Sequence, residues 1–121
     1  MNDDSLENLR QKLATFAQVR DWDQFHSPKN LSMALIAEAA ELVEHFQWLS
    51  EEQSRHLTDD KKQEVGYELA DILIFLIRTA DKLDIDLIQT AHKKITINES
   101  RFPVERVRGS AKRASEYTDI K

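Results

Sequence analysis

Residues 37–44 read Ala37-Glu38-Ala39-Ala40-Glu41-Leu42-Val43-Glu44, and a similar pattern returns at residues 67–73, which read Tyr67-Glu68-Leu69-Ala70-Asp71-Ile72-Leu73. In each stretch two carboxylates stand three residues apart among alanine, leucine and β-branched residues. On a helix, residues at this spacing share one face, so both members of a pair point the same way. The two stretches therefore predict two helices whose paired acids converge, namely Glu38, Glu41, Glu68 and Asp71.

These paired acids need a counter-charge. Taking an ionised carboxylate out of water without a partner costs several kcal/mol, so acids set in apolar sequence require cations. Mg²⁺ prefers oxygen ligands and is commonly held by a few carboxylates together with substrate phosphates. A single Glu-x-x-Glu pair is common on solvated helix faces, and the second pair is what favours a site. We therefore predict a Mg²⁺ site, with Mn²⁺ as an alternative ion, formed by Glu38, Glu41, Glu68 and Asp71.

The composition favours an all-α fold in one domain. The 121 residues include only two glycines and two prolines, which leaves little turn chemistry for a β-sheet. The absence of cysteine excludes disulfides, thiolate metal sites and a cysteine nucleophile, and it is compatible with the cytoplasm. The N-terminus lacks the features of a signal peptide, and no apolar run approaches the length of a membrane helix. We expect a cytoplasmic protein without a membrane partner.

The net charge of −5 is unevenly distributed. Residues 101–121 carry six Lys or Arg and three Asp or Glu, a local charge of +3 that leaves −8 on residues 1–100. A duplex-binding protein usually presents a basic face, so this acidic body argues against a nucleic-acid polymer as partner. The basic C-terminal segment suits a smaller polyanion.

Hydrophobic periodicity predicts four helices, which run from about Asp4 to Val19, from Asn30 to Trp48, from Asp59 or Asp60 to Leu83, and from Asp86 to the stop at Pro103. We place N-terminal caps at Asp4 with Glu7, at Asn30, at Asp60 with Gln63, and at Asp86. Residues 20–30 are predicted to form an ordered loop and residues 51–58 a connecting loop. The apolar run at residues 72–77 also fits a buried strand, but the long helical pattern around it favours a helix.

The predicted fold is a four-helix-bundle-like domain at residues 1–103, followed by an extended basic arm at residues 104–121. The second and third predicted helices are apolar on more than one face. Such helices are buried on more than one side, within the bundle or against another subunit. We therefore expect a homo-oligomer.

A second group of polar residues lies near the end of the last predicted helix. Lys94, Asn98 and Arg101 follow the helical spacing i, i+4, i+7, which puts two cations and an amide on one face. This face could bind the phosphates that the carboxylates engage through a metal ion. The alternative is a solvated helix end, where cations are favoured by the helix macrodipole.

The loop at residues 20–30 contains two aromatic residues and a histidine. Loops of this composition often contact ligands. From composition alone, the favoured alternative is that Trp22 and Phe25 close the end of the bundle. A di-iron bundle usually carries Glu-x-x-His motifs, and no histidine of this chain is preceded by a Glu at that spacing. His45 and His92 are interpreted as bundle or surface residues.

With these segments assembled, the sequence resembles the MazG-like superfamily of all-α nucleoside triphosphate pyrophosphohydrolases, and within it the dCTP pyrophosphatase branch. The family signature is Glu-x-x-Glu followed after a spacer by Glu-x-x-Asp, which the four acids match. The branch resemblance lies in residues 20–31, in residues 46–48 and in the run from Lys94 to Pro103. It covers roughly residues 6–112.

The resemblance implies hydrolysis of a nucleoside triphosphate to the monophosphate and pyrophosphate, with the family acids holding Mg²⁺. It also implies assembly as a tetramer or dimer with sites between subunits. Substrate-contact positions of the branch are matched at the nucleobase and sugar by Trp22, His26 and Trp48, and at the phosphates by Lys94 and Asn98.

Two positions depart from the pattern of the dCTP-specific relatives. Phe75 stands where those relatives have a tyrosine, and Leu13 stands where some have a histidine. A hydroxyl and an imidazole near the substrate are therefore missing.

The prediction is a Mg²⁺-dependent pyrophosphohydrolase of dCTP or modified pyrimidine triphosphates that cleans the nucleotide pool. An activated water attacks the α-phosphorus as pyrophosphate leaves, and a carboxylate serves as base. We assign that role to Glu38 or Glu41, with Glu44 assisting. The competing interpretations are a non-catalytic helical interaction protein and the same chemistry on dUTP or a broad set of triphosphates.

Overall fold

The computed structural model describes residues 5–111, and every regular element in that range is helical. The elements are α1 (Leu6–Val19), a 3₁₀ turn (Asp23–Phe25), α2 (Pro28–Glu44), α3 (Glu51–Ser54), α4 (Asp59–Lys82), α5 (Leu87–Arg101) and α6 (Val104–Val107). The predicted all-α class is confirmed. The run at residues 72–77 lies inside α4, so its strand alternative is excluded. Within residues 5–111, none of the helices has both the length and the apolar character that a bilayer-spanning segment requires.

Short hydroxyl side chains begin most of the helices. Ser5, Ser27 and Thr58 each accept a hydrogen bond from the backbone N–H three residues on, at 3.1 to 3.2 Å. The predicted caps at Asn30 and Asp60 are therefore wrong, because a hydroxyl upstream already occupies the N-cap position. The predicted cap at Asp4 lies outside the described residues. Asp86 does cap α5, by accepting from the Gln89 N–H at 3.0 Å.

The connection between α2 and α4 is more ordered than predicted. The second predicted helix was expected to reach Trp48, yet α2 ends at Glu44, where the N–H groups of His45 and Phe46 bond to carbonyls three residues back. Residues 51–54 form the short helix α3 where we expected a loop. The reason is a capping box, in which the Ser50 side chain accepts from the Gln53 N–H and the Gln53 side chain accepts from the Ser50 N–H.

Among the described residues, 5–85 form one compact unit. In it α4 packs mainly against α2 and also against α1. The buried apolar core is small and consists of Ala17, Leu31, Val65, Ile77 and Ala80. Packing of α2 on α4 is what brings the two acidic stretches of the sequence together.

Among the described residues, 86–111 belong to a second compact unit, which contains α5 and α6. Helix α5 ends at Arg101, two residues before Pro103, as predicted. The arm was expected to be extended from Val104, but Val104–Val107 is one helical turn, with the Val107 N–H bonded to the Pro103 carbonyl at 3.1 Å. Residues 112–121 of the predicted arm lie outside the described residues, and the division at residue 103 stays a prediction.

Candidate active site

Three of the four predicted metal-binding acids form a cluster between α2 and α4. Glu38 and Glu41 lie on α2 and Glu68 lies on α4, and one carboxylate oxygen from each is within 4.8 Å of the others. The i, i+3 spacing on α2 puts the first two on one face, and the packing of α4 adds the third. The cluster is thus built by two rigid helices rather than by a loop.

Two oxygens in this cluster are buried without a hydrogen-bond partner. These are Oε2 of Glu38 and Oε2 of Glu68, for which residues 5–111 supply no donor. Burial, reinforced by the adjoining carboxylates of Glu41, Asp71 and Glu68, raises the pKa of Glu38 to about 7. A buried acceptor without a donor is costly, and so is a group of like charges. Both costs are removed when a cation binds there.

The donor set fits a hard divalent cation. It consists of carboxylate oxygens, without thiolate and with no imidazole among the three clustered groups. Such ligands suit Mg²⁺ or Mn²⁺ better than Zn²⁺ or Cu²⁺. The two orphaned oxygens of Glu38 and Glu68 are the structural observation that supports this fit.

Asp71 and Glu44 lie outside the set of three. Asp71 is half-buried on α4, one helical turn after Glu68, and its charge contributes to the raised pKa of Glu38. It is therefore close to the cluster without being part of it. Glu44 is exposed at the last position of α2.

His45 is a neighbour of the cluster that sequence analysis missed. Its Nε2 lies 3.7 Å from Oε1 of Glu68, and its Nδ1 lies 3.4 Å from the Lys61 ammonium. The spacing could have revealed this position, because Glu38, Glu41 and His45 follow the helical pattern i, i+3, i+7 and so share one face. We had interpreted His45 as a bundle or surface residue, and its contact with Glu68 makes it a neighbour of the candidate metal ligand.

The predicted substrate-contact residues of the first unit lie on exposed or half-buried positions. Trp48 is 87% exposed, and Trp22 is 47% exposed with its ring edge-to-face against Phe16 at 5.8 Å. Phe25 is 59% exposed, so it does not close the end of this unit as a buried residue would. Phe75 is half-buried and follows Glu68 by seven residues on α4, which places it on the same face.

His26 is held by a buried arginine, Arg78, that was not among the predicted site residues. Nδ1 of His26 accepts from the guanidinium of Arg78 at 3.3 Å, and that guanidinium also reaches Asp23 at 2.9 Å and Asp81 at 3.3 Å. Arg78 is 3% exposed, and no motif in the sequence points to it. No local spacing signals these contacts, because His26 and Asp23 lie more than fifty residues before Arg78.

The predicted phosphate-binding residues belong to the second unit. Lys94, Asn98 and Arg101 lie on α5, as the i, i+4, i+7 pattern predicted. Lys94 and Arg101 are exposed, whereas Asn98 is half-buried. The Arg101 guanidinium lies over the Phe102 ring, 5.5 Å from its centroid.

Comparison with known proteins points to one family. The model of the MazG-like family matches residues 34–119. dCTP pyrophosphatase 1 of Mus musculus is 41% identical over 118 residues, which are 96% of this chain and 68% of that protein. The same protein of Homo sapiens is 36% identical over the same shares. A crystal structure of a pyrophosphatase from Archaeoglobus fulgidus matches with a TM-score of 0.78 and 35% identity, covering 85% of this chain and 96% of that one.

These findings confirm the resemblance drawn from the sequence. The family model includes all four predicted acids, and each of these relatives is named a pyrophosphatase, in agreement with the predicted reaction class. The fold, the acidic cluster and the relatives lead to the same conclusion: this chain belongs to the MazG-like family.

Proposed function

We propose that this chain is a Mg²⁺-dependent nucleoside triphosphate pyrophosphohydrolase that acts on dCTP or modified pyrimidine deoxynucleotides. The observation that carries the proposal is the cluster of Glu38, Glu41 and Glu68, with its two buried oxygens that lack donors. The names of the relatives support a triphosphate substrate, with dCTP as the first candidate. The role is to clean the nucleotide pool, in the cytoplasm, with which the absence of cysteine is compatible.

In this proposal Glu38, Glu41, Glu68 and Asp71 hold the metal. When bound, Mg²⁺ supplies charge neutralisation at the phosphate oxygens and orients the reacting groups. Glu38 or Glu41 serves as the base that takes a proton from the attacking water. Glu44, one turn after Glu41 at the end of α2, assists the carboxylate that serves as the base.

The remaining residues bind the substrate. Two exposed tryptophans, Trp22 and Trp48, offer ring faces to a nucleobase. His26, which follows Trp22 by four residues, contacts the base and sugar. Lys94, Asn98 and Arg101 donate hydrogen bonds to phosphate oxygens. Phe75 carries no hydroxyl, so its contribution to base selection is apolar packing, and the base preference of this chain rests on the relatives rather than on that position.

The experiment that tests the proposal is pyrophosphate release from canonical and 5-substituted triphosphates, with Mg²⁺, with Mn²⁺ and with a chelator. We expect metal-dependent release that favours dCTP or its 5-substituted forms. Glu41→Gln should abolish turnover and leave the helical circular dichroism unchanged. Glu52→Gln, an exposed change on α3, serves as the control and should retain wild-type activity.

Two results would overturn the proposal. Unaltered activity of Glu41→Gln would remove the acidic cluster from the reaction. Absence of pyrophosphate release from every triphosphate would favour the alternative, a helical interaction protein whose acids are merely solvated. A broad substrate profile, or one that favours dUTP, would support the proposed reaction and show that the proposed substrate, dCTP, is wrong.

A further inference from the structure

Arg78 is the one charged residue that is fully buried among the described residues. Its guanidinium contacts three side chains from two parts of the chain. Nε and Nη2 both approach Nδ1 of His26 at 3.3 Å, Nη2 also donates to Asp23 at 2.9 Å, and Nη1 donates to Asp81 at 3.3 Å. A buried guanidinium is stable only when its charge is balanced and its nitrogens have acceptors. Here each of the three nitrogens has at least one acceptor.

The balance is completed by two further cations and one further acid. Lys82 lies 2.6 Å from the carboxylate of Asp23, and Arg10 lies 3.0 Å from that of Asp81 and also pairs with Glu7. Three cations thus alternate with three carboxylates. Each carboxylate that Arg78 contacts also pairs with a second cation. These contacts fix the plane of the Arg78 guanidinium.

This arrangement determines the protonation of His26. A guanidinium has donors and no acceptor, so Nδ1 of His26 must offer its lone pair, and the ring proton must be on Nε2. The ring is then neutral, and Nε2–H is a donor for which residues 5–111 supply no acceptor. Burial and the positive charge of Arg78 lower the pKa of His26, with Lys82 acting in the same direction and Asp23 against it.

We propose that Arg78 is a positioning residue for nucleotide recognition, which holds His26 as the neutral Nε2–H tautomer so that His26 donates a hydrogen bond to an oxygen of the nucleobase or sugar. This inference rests on the proposed function, in which His26 contacts the base and sugar. A neutral ring fits an uncharged carbonyl or sugar oxygen, whereas a phosphate would favour a protonated histidine. Arg78 acts through His26 and does not itself touch the substrate.

The loop that carries His26 is fixed by the same residue. The 3₁₀ turn Asp23–Phe25 lies between Trp22 and His26, and Arg78 contacts residues at both of its ends. The backbone of this turn is also tied to α2, because the Asn30 side chain donates to the Phe25 carbonyl at 3.0 Å. Arg78 therefore sets both the position and the tautomer of His26.

The first test reads the tautomer directly, from the ¹⁵N chemical shifts of the ring nitrogens in the metal-free wild-type protein at pH 7.5. The resonance is assigned by its loss in His26→Gln. We expect a protonated Nε2 and an unprotonated Nδ1. Arg78→Lys keeps the charge but removes the planar fork, and it should give a mixture of tautomers. Arg10→Lys makes the same change at the other end of the network and should leave the His26 signals unchanged.

The second test is kinetic. One lost hydrogen bond that is equal in the ground state and the transition state raises KM and leaves kcat unchanged. We expect His26→Ala and Arg78→Lys to raise KM for dCTP about 3- to 10-fold, as a net hydrogen bond implies, with kcat within about 2-fold. Arg10→Lys should not change KM. A role in stability alone would lower the melting temperature and leave the tautomer and KM unaltered.

The partner oxygen is identified with 2-thio-dCTP, whose sulfur is a poor acceptor. If the KM effect of His26→Ala disappears with this analogue, the oxygen belongs to the base; if it persists, the oxygen belongs to the sugar. A wild-type ring that is protonated on Nδ1, or a KM for dCTP that Arg78→Lys and His26→Ala leave unchanged in an active enzyme, would overturn the inference alone. Absence of turnover in the wild type would instead refute the proposed function, and the nucleotide role of His26 with it.

Discussion

Glu38 is the residue whose electrostatic environment is most unusual in the candidate site. Its pKa is raised to about 7 from the ordinary value of 4.5, because burial and the nearby Glu41 disfavour its charged form. Between these two pH values the folded protein binds a proton that the unfolded chain has lost. The metal-free protein should therefore lose stability as the pH rises through this window, and a bound cation should restore it.

The first prediction concerns the proton on Glu38. Mg²⁺ binds the ionised carboxylate, so binding at pH 6 should release close to one proton, and binding at pH 8.5 should release almost none. The measurement is isothermal titration calorimetry with Mg²⁺ in two buffers of different ionisation enthalpy. Equal binding enthalpies in both buffers at pH 6 would show that Glu38 is already ionised in the free protein and that its environment has been misjudged.

The second prediction concerns His45, which lies 3.7 Å from Glu68 and 3.4 Å from Lys61. An imidazole that orients a ligating carboxylate typically changes metal affinity about 10-fold or more when it is removed. His45→Leu should therefore weaken Mn²⁺ binding about 10-fold, measured by electron paramagnetic resonance of free Mn²⁺. His92→Leu makes the same change at an exposed site on α5 and should have no effect. Equal affinities for the two variants would show that His45 does not orient Glu68.

At the scale of the elements, α1 and α4 end in the same way. Asp21 and Asp84 both have φ of 55°, in the left-handed region that favours glycine. After Asp84 the Ile85 N–H bonds to the Ala80 carbonyl at 2.9 Å, and after Asp21 the Trp22 N–H bonds to the Ala17 carbonyl at 2.9 Å. These are Schellman motifs, in which an aspartate occupies the usual glycine position.

The third prediction follows from this backbone conformation. Asp84→Gly should raise the free energy of unfolding by about 0.5–1 kcal/mol, because glycine adopts a positive φ without steric cost. Asp60→Gly makes the same substitution within the first turn of α4 and should lower it by about 0.5–1 kcal/mol. Urea titrations followed by circular dichroism measure both values. A loss of stability in both variants would show that the Asp84 side chain contributes more than its backbone conformation costs.

Long helices were easier to predict from the sequence than helix starts and short helices. Long helices such as α4 were predicted because apolar periodicity over more than twenty residues is a strong local signal. The predicted start of α4 and the predicted cap of α5 at Asp86 are correct. Helix α2 begins at Pro28 rather than near Asn30, because the Ser27 hydroxyl occupies the N-cap position. The short helix α3 was missed although its signal, Ser50 followed by Gln53, is a recognisable capping box.

In the candidate site, too, the residues that local spacing reveals were predicted, and those that depend on contacts between distant segments were not. Glu38 and Glu41 were predictable because their spacing on one helix is a local property, and Glu68 because its stretch repeats the pattern. Arg78 was not, because its contacts depend on how the loop before α2 packs against α4. Local spacing contains no information on such contacts between distant parts of the chain.

At the scale of the whole molecule, the described chain buries few large apolar side chains and exposes many. On α2 Met33, Ile36 and Val43 are 57 to 65% exposed, and on α4 Leu69, Leu73 and Leu76 are 40 to 51% exposed. Each set follows helical spacing, so each forms an apolar stripe. Stripes of this kind on a protein without a larger core are typical of subunit interfaces. We therefore predict that the protein is a homo-oligomer, a dimer or a tetramer, in solution.

The last prediction tests this assembly with a single charge at the middle of the α4 stripe. A buried leucine contributes about 2–3 kcal/mol, and an unpaired carboxylate in an apolar interface adds a further cost, so Leu73→Glu should weaken association at least about 100-fold. Gln18→Glu, an exposed change on α1, adds the same charge and should leave the assembly intact. Sedimentation velocity over a concentration series distinguishes the species. A monomeric wild type, or a Leu73→Glu variant that associates as the wild type does, would show that the α4 stripe is not covered by a second copy of the chain.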